Sequence, residues 1–214
     1  MDTASTLVLG TTNAGKLREL AELLEPLGIS CRSLAGLADA VDVEETGSSF
    51  AENAALKASQ QARALRSWVL AEDSGLCVDA LGGGPGIYSA RFAAKHGGGS
   101  GDERNNALLL ERLAAIPASD RAAHYACHAA LADPHGTIAA TSQGICRGLI
   151  ATAAQGGGGF GYDPLFIVPE YHRTFGELSP AVKAVVSHRA RAMRAIIPLL
   201  VRLLRPPSLP GGGR

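Results

Sequence analysis

Residues Ala71 to Phe92 read A-E-D-S-G-L-C-V-D-A-L-G-G-G-P-G-I-Y-S-A-R-F. An apolar run, Trp68-Val69-Leu70, leads into two adjacent carboxylates, Glu72 and Asp73. Ser74 and Gly75 are turn-forming residues, so the chain is expected to turn there. Leu76 to Leu81 then reads as a second short extended piece, ending in the rigid loop Gly82-Gly83-Gly84-Pro85-Gly86. A buried strand that carries two acids to its exposed end has the composition of a metal and phosphate site. Side chains alternate along a strand, so Glu72 and Asp73 point opposite ways unless the strand has already ended.

Before this stretch lies a strand, a turn and a helix. Thr6-Leu7-Val8-Leu9 has β character, and Leu17, Leu20, Leu23, Leu24 and Leu27 recur at helical spacing. Asn13 is placed to cap that helix and Gly28 to stop it. Lys16 falls in the first turn, beside backbone N–H groups with no intrahelical acceptor, where phosphates bind. A solvated helix charge is the competing reading, and the G-x-x-x-x-G-K-[ST] loop is absent. Ile29 to Val43 reads as a loop with a short strand. Ser48 or Ser49 caps a second helix from Phe50 to about Leu65. Asn53 and Lys57 are four apart on it and share one face. Taken alone, that pair reads first as a solvent-exposed face.

After it, Tyr88 to Phe92 begins a helix, and Asp102 is expected to cap another through Ile116. Arg121–Asp133 and Thr137–Arg147 form a hairpin about Asp133-Pro134-His135-Gly136. His124 and His128 share one face of it, without a third ligand, and read as half-exposed strand histidines. A second glycine loop, Ala151 to Asp163, precedes the strand Leu165–Val168. Ser179-Pro180 starts a short helix carrying Lys183, and Ser187-His188-Arg189 opens a long terminal helix that Pro198 is expected to kink. Strands and helices mix without a strict β-α-β rhythm, so the fold class is α/β with a mixed sheet. Residues 1–205 read as a single two-lobed domain and 206–214 as a disordered tail.

Composition limits the functions. The 214 residues suffice for one good core, 46% of them are hydrophobic, and the formal net charge is zero. A neutral chain argues against a nucleic-acid polymer as partner, though not against a small anion. No apolar run is long enough to span a bilayer. Cys31, Cys77, Cys127 and Cys146 make no C-x-x-C pair. That weighs against zinc and suits reduced thiols, so a cytoplasmic location is expected.

Seven short motifs occur in order. They are T-T-N-A-G-K at 11–16, E-T-G at 45–47, F-A-E-N-A-x-x-K-A at 50–58, E-D-S-G-L at 72–76, L-G-G-x-P-G-I-Y-S-A-R at 81–91, G-G-F-G-Y-D-P at 158–164 and K-x-x-x-S-H-R at 183–189. Together they resemble the non-canonical purine nucleoside triphosphate pyrophosphatases, the inosine/xanthosine triphosphate pyrophosphatase family. The resemblance runs from Leu7 to about Leu204. It implies two lobes around a long twisted mixed β-sheet, with the active site in the cleft between them. It implies magnesium-dependent (Mg2+) hydrolysis of ITP, dITP or XTP to the monophosphate and pyrophosphate, by a homodimer.

By the same resemblance, Thr11, Thr12, Asn13, Ala14, Gly15 and Lys16 line the triphosphate. Glu45 and Asp73 are magnesium-linked carboxylates, with Asp73 the proton acceptor and Glu72 a metal ligand or its neighbour. Lys57, Ser74, Phe160, Gly161, Tyr162, Asp163, Lys183, His188 and Arg189 contact substrate. Asn53, on the same helical face as Lys57, is placed to face the same ligand. The chemistry fits these residue types. A triphosphate carries about four negative charges, and Lys16, Lys57, Lys183 and Mg2+ offset the charge that builds on the leaving pyrophosphate. Magnesium takes oxygen ligands, so no histidine is needed. Donors from His188 and Arg189 would favour a 6-oxo purine over adenine, and Phe160 can stack on the base. Without the motif Phe160 reads as a core aromatic.

Two departures from the family pattern stand out. Ser179-Pro180-Ala181-Val182 lacks the acidic residues common before the lysine. The run Gly156–Gly159 is richer in glycine than the base loop needs, which would loosen it. Other readings considered are a pyrophosphatase for modified pyrimidine or canonical nucleotides, a non-catalytic nucleotide sensor and a dinucleotide-binding oxidoreductase. The last lacks the G-x-G-x-x-G context.

Overall fold

The structure is a computed structural model that describes residues 6–204. The tail expected at 206–214 lies outside the described residues. One mixed sheet of seven strands organises the chain, in the order β2-β1-β3-β4-β5-β6-β7. In sequence, the elements are β1 (Leu7–Leu9), α1 (Ala14–Leu24), β2 (Cys31–Ser33), α2 (Phe50–Leu65) and β3 (Val69–Val78). There follow α3 (Phe92–Lys95), α4 (Asp102–Arg112), β4 (Ala122–Ala132) and β5 (Ile138–Ile150). The last are β6 (Phe166–Val168), β7 (Arg173–Thr174), α5 (Pro180–Val186) and α6 (His188–Leu204). β1 pairs in parallel with β2 and β3, and every later pairing is antiparallel. This is the mixed α/β sheet the sequence implied.

The opening stretch differs from its reading in one respect. β3 does not turn at Ser74-Gly75. It runs unbroken through Glu72–Gly75 to Val78, and the expected second extended piece is its own second half. Gly75 is there for proximity: a Cβ on it would lie 2.4 Å from the Ser89 hydroxyl and 2.5 Å from the Gly86 carbonyl. The Gly82–Arg91 segment packs against the strand at this point, and Ser89 Oγ accepts the Leu76 N–H at 2.9 Å.

Strand alternation divides the core. Leu7, Leu9 and Leu70 pack with α1 and α6, and Val8, Val69 and Ala71 pack with the alanine face of α2. A third cluster gathers Leu76 and Val78 with α4 and β6. β3 and β4 contribute residues to all three clusters. β1 stops at Leu9, with a last hydrogen bond from Gly10 N–H to the Leu70 carbonyl, whereas β3 continues. The edge of β3 from Glu72 onward therefore opens on a cleft, the usual place for a ligand in an open α/β sheet.

The ends of α4 were also misread. The helix stops at Arg112, short of Ile116, because the buried Arg121 guanidinium takes the carbonyls of Leu113 and Ile116. Gly101 occupies its N-cap position, which frees the Asp102 carboxylate for the Gly161 N–H at 2.6 Å. Tyr88 to Phe92 is mostly 3-10 turn, and α3 begins only at Phe92. The caps by Asn13, Ser49 and Ser179 are as expected.

Candidate active site

The cleft holds about 430 Å³. Opposite faces of β3 send Glu72 and Asp73 to different partners. Asp73 faces α2. Its Oδ1 accepts Lys57 Nζ at 3.0 Å and its Oδ2 accepts Asn53 Nδ2 at 3.2 Å. Lys57 also reaches Glu45 Oε1 at 2.7 Å, and Arg91 holds the other oxygen of Glu45 at 3.0 Å. Asn53 and Lys57 do share a face, but it is not the solvent-exposed face their spacing first suggested: Asn53 is fully buried. The helix is so close to the sheet that both side chains end on Asp73.

Burial pushes the Asp73 carboxyl above its ordinary value, and Lys57 and Lys16 offset this only in part. For Lys57, burial disfavours the charge, but Asp73 and Glu45 outweigh it and raise its pKa, so it stays cationic. Asp73 is thus a poorly solvated carboxyl group held against a lysine at an open strand edge, which suits a proton acceptor.

Glu72 faces α1 and α6. Lys16 Nζ lies 3.0 Å from it, and Arg189 meets it through Nη2 at 3.1 Å and Nε at 3.3 Å. The Cys127 thiol donates to its other oxygen at 3.2 Å. Burial opposes its charge, yet Arg189 and Lys16 prevail and hold the carboxyl well below the usual range. Every oxygen of Glu72 has a protein partner, so it works as the anchor of Lys16 and Arg189 and has no oxygen turned to Asp73 or Glu45.

At the other end of the cleft the second glycine loop meets α5 and α6. Asp163 accepts the Phe160 N–H at 2.9 Å and Lys183 Nζ at 2.5 Å. Lys183 lies 4.6 Å from the centroid of the Phe160 ring. Phe160 also rests on Gly15, where a Cβ would lie 2.7 Å from the ring. His188 stacks on Tyr125, 4.6 Å between centroids and 10° from parallel, and its Nδ1 is buried without a hydrogen-bond partner. Burial, then the adjacent Arg189, push the imidazole well below its ordinary pKa, so it is neutral. The glycine run is not loose at both ends. Gly156 and Gly159 have positive φ, and side chains there would meet the Gly176 backbone at 2.2 Å and the Asp163 carboxylate at 2.0 Å.

Thr11, Thr12, Asn13 and Lys16 line the cleft, as do Ser74, Gly161 and Tyr162, while Ala14 and Gly15 sit in the first turn of α1 beside them. The Arg189 guanidinium is committed to Glu72, Glu19 and Ser74. Donation from it to a base, as the sequence suggested, would draw on bonds already made. Sequence reasoning missed Glu19, which bridges Lys183 and Arg189, and Arg91, Asp102 and Tyr125. Glu19 lies three residues after Lys16 on α1, a spacing that puts both on one face.

Five cations line the cleft (Lys16, Lys57, Arg91, Lys183, Arg189), and five carboxylates (Asp42, Glu45, Asp73, Asp102, Asp163). The lining is therefore balanced as it stands. An aromatic and imidazole pocket at one end and a lysine-bridged carboxylate pair at the other define a nucleotide-hydrolase type of site on an α/β sheet.

The comparisons with known proteins agree. The profile of the Ham1 family matches residues 7–199, and the chain belongs to that family. It is 54% identical over 199 residues to a dITP/XTP pyrophosphatase of Rhodopirellula baltica, covering 93% of this chain and 94% of that one. A protein of the same name from Desulforamulus reducens is 48% identical over 92% of this chain and 96% of its own. Among solved structures, a HAM1 protein from Coxiella burnetii superposes with a TM-score of 0.82 at 38% identity, over 92% of this chain and 99% of that one.

Proposed function

We propose that this chain hydrolyses non-canonical purine nucleoside triphosphates (ITP, dITP and XTP) to the monophosphate and pyrophosphate. The observation that carries it is the convergence of Asp73, Lys57 and Glu45 on the open edge of β3, in one cleft with the Phe160–His188–Lys183 pocket. The dITP/XTP pyrophosphatase name of relatives 54% and 48% identical supports the substrate class.

The residues divide the work by position. Asp73 accepts the proton of the water that attacks the α-phosphorus, and pyrophosphate leaves. Lys57 keeps Asp73 ionised and aligned, and Asn53 fixes its other oxygen. Lys16, at the N-terminus of α1, faces the phosphates. Phe160 stacks on the base, and Lys183 and the neutral His188 contact its edge. A 6-oxo purine can accept from an imidazole N–H where adenine presents an amino donor, and such a mismatch discriminates strongly.

A magnesium ion fits the donor set. Glu45 and Asp73 offer carboxylate oxygens, and the balanced lining lacks the excess positive charge that a triphosphate requires. Glu45 and Asp73 would hold it; Glu72, fully engaged elsewhere, would support them through Lys16. When bound, the ion supplies positive charge to the phosphate oxygens as the bond breaks. We take the enzyme to act as a cytoplasmic homodimer, a reading supported by its four free cysteines and by the family resemblance. No helix among the described residues is long and apolar enough to cross a membrane.

The test is pyrophosphate release from ITP, dITP, XTP, ATP and GTP, each with and without Mg2+. The expected result is magnesium-dependent release from the first three and far slower turnover of ATP and GTP. Equal rates on all five would overturn the specificity.

A further inference from the structure

Residues 41–47, the strap that brings Glu45 to the cleft, contain no helix or strand. Three α2 side chains fasten it, one from each successive turn of the helix. Asn53 Oδ1 accepts the Gly47 N–H at 2.8 Å, Lys57 meets Glu45 at 2.7 Å, and Gln61 takes Val41. The last contact is double: Gln61 Oε1 accepts the Val41 N–H at 3.2 Å, and Gln61 Nε2 donates to the Val41 carbonyl at 2.5 Å. The spacing 53, 57, 61 keeps all three on one helical face, so the strap runs antiparallel to α2 with its register fixed at three points.

Gln61 is only 4% exposed and lines the cleft. A buried amide without partners is costly, and here both ends of the side chain are satisfied by the backbone N–H and C=O of one residue, Val41. That pairing defines the position of the strap as a strand partner would. Asn53 and Lys57 also serve Asp73; Gln61 makes no bond to a reacting group, and its bonds are spent on the strap alone.

We infer that Gln61 is a positioning residue that, by gripping both backbone groups of Val41, sets the register of the strap and so holds Glu45 in place at the phosphate end of the site. The role of Glu45 in this inference rests on the pyrophosphatase reading; the register of the strap does not.

The test uses Gln61→Leu, close in volume without polar atoms, and Gln61→Ala, each in the full chain. Amide hydrogen exchange is measured first without metal or nucleotide. Exchange across 41–47 should rise about tenfold, the scale of one or two lost neutral hydrogen bonds, while β3 and β4 stay protected. In pyrophosphate release, the Mg2+ concentration for half-maximal rate should rise about tenfold. The ratio of dITP to ATP turnover should not change, because the base pocket lies at the other end of the cleft.

Unaltered exchange in the strap would overturn the inference. So would faster exchange with an unaltered Mg2+ requirement, since Gln61 would then order the strap without holding Glu45 in place. If the wild-type chain released no pyrophosphate from any nucleotide, the functional reading and the role of Glu45 would fall together, and the exchange data would still decide whether Gln61 sets the strap.

Discussion

Asp73 and Glu72 are chemically alike and adjacent, yet their surroundings assign them different work. Asp73 sits at an open edge with one lysine and one amide; Glu72 sits under α1 and α6 with a lysine, an arginine and a thiol. The pleat makes the difference, because neighbouring strand residues face opposite ways. Asp73→Asn keeps the shape and the Asn53 contact region but removes the proton acceptor. Its kcat for dITP should fall by about 10²–10⁴-fold, with thermal unfolding close to wild type. Retained turnover would take Asp73 out of the acceptor role. The opposed orientation was legible in the sequence. The commitment of Arg189 to Glu72, Glu19 and Ser74 was not, since Glu19 lies 170 residues away in the chain and no local pattern links them.

At the scale of elements, close approach explains what local propensity misreads. Ser74 and Gly75 have turn chemistry, and on that ground β3 was expected to break; the glycine is instead needed where Ser89 and Gly86 press on the strand. The starts of α1, α2 and α5 were legible because apolar period and the caps by Asn13, Ser49 and Ser179 are local signals. The end of α4 was not, because it depends on Arg121, which arrives from the start of β4. The same logic of contact predicts a substitution. Gly144 on β5 lies under the first turn of α6, where a Cβ would sit 2.1 Å from the His188 carbonyl and 2.4 Å from the Ala192 N–H. Both are backbone, so the helix itself must move. Gly144→Ala should cost about 1–3 kcal/mol and, by displacing His188 and Arg189, lower kcat/KM for dITP. Gly157→Ala, where nothing lies within 4 Å of the added carbon, is the control and should alter neither. Urea denaturation and steady-state kinetics on both variants measure this, and a stable, fully active Gly144→Ala protein would show that α6 can slide without disturbing the site.

Across the whole molecule, Glu72 ties three distant parts of the chain together: α1 through Lys16, the centre of the sheet through β3 and the terminal helix through Arg189. These pairs cross between elements that meet only in the folded state, so the ionisation of Glu72 is linked to folding. Its folded pKa is held well below the ordinary 4.5 by Arg189 and Lys16, which together outweigh the burial that opposes its charge. The folded protein therefore binds this proton more weakly than the unfolded chain does. Its contribution to stability is complete above about pH 4.5 and is lost as the pH falls from there toward the folded value. Asp73 and Asp163 are shifted the other way, upward by burial, so their contributions are present at low pH and lost as the pH rises. Both groups remain in a Glu72→Gln variant, and to a first approximation they cancel when it is compared with wild type. At pH 7 that variant leaves Arg189 and Lys16 short of a buried counter-charge and should be less stable by about 3–5 kcal/mol. Denaturant unfolding at a series of pH values, in EDTA to exclude metal, should show this gap constant from pH 7 to about 5 and shrinking below 4.5 as wild type loses the same charge. A gap that stays the same down to pH 3 would mean that Glu72 contributes by packing and hydrogen bonding, and that its charge does not hold α1 and the sheet to the terminal helix.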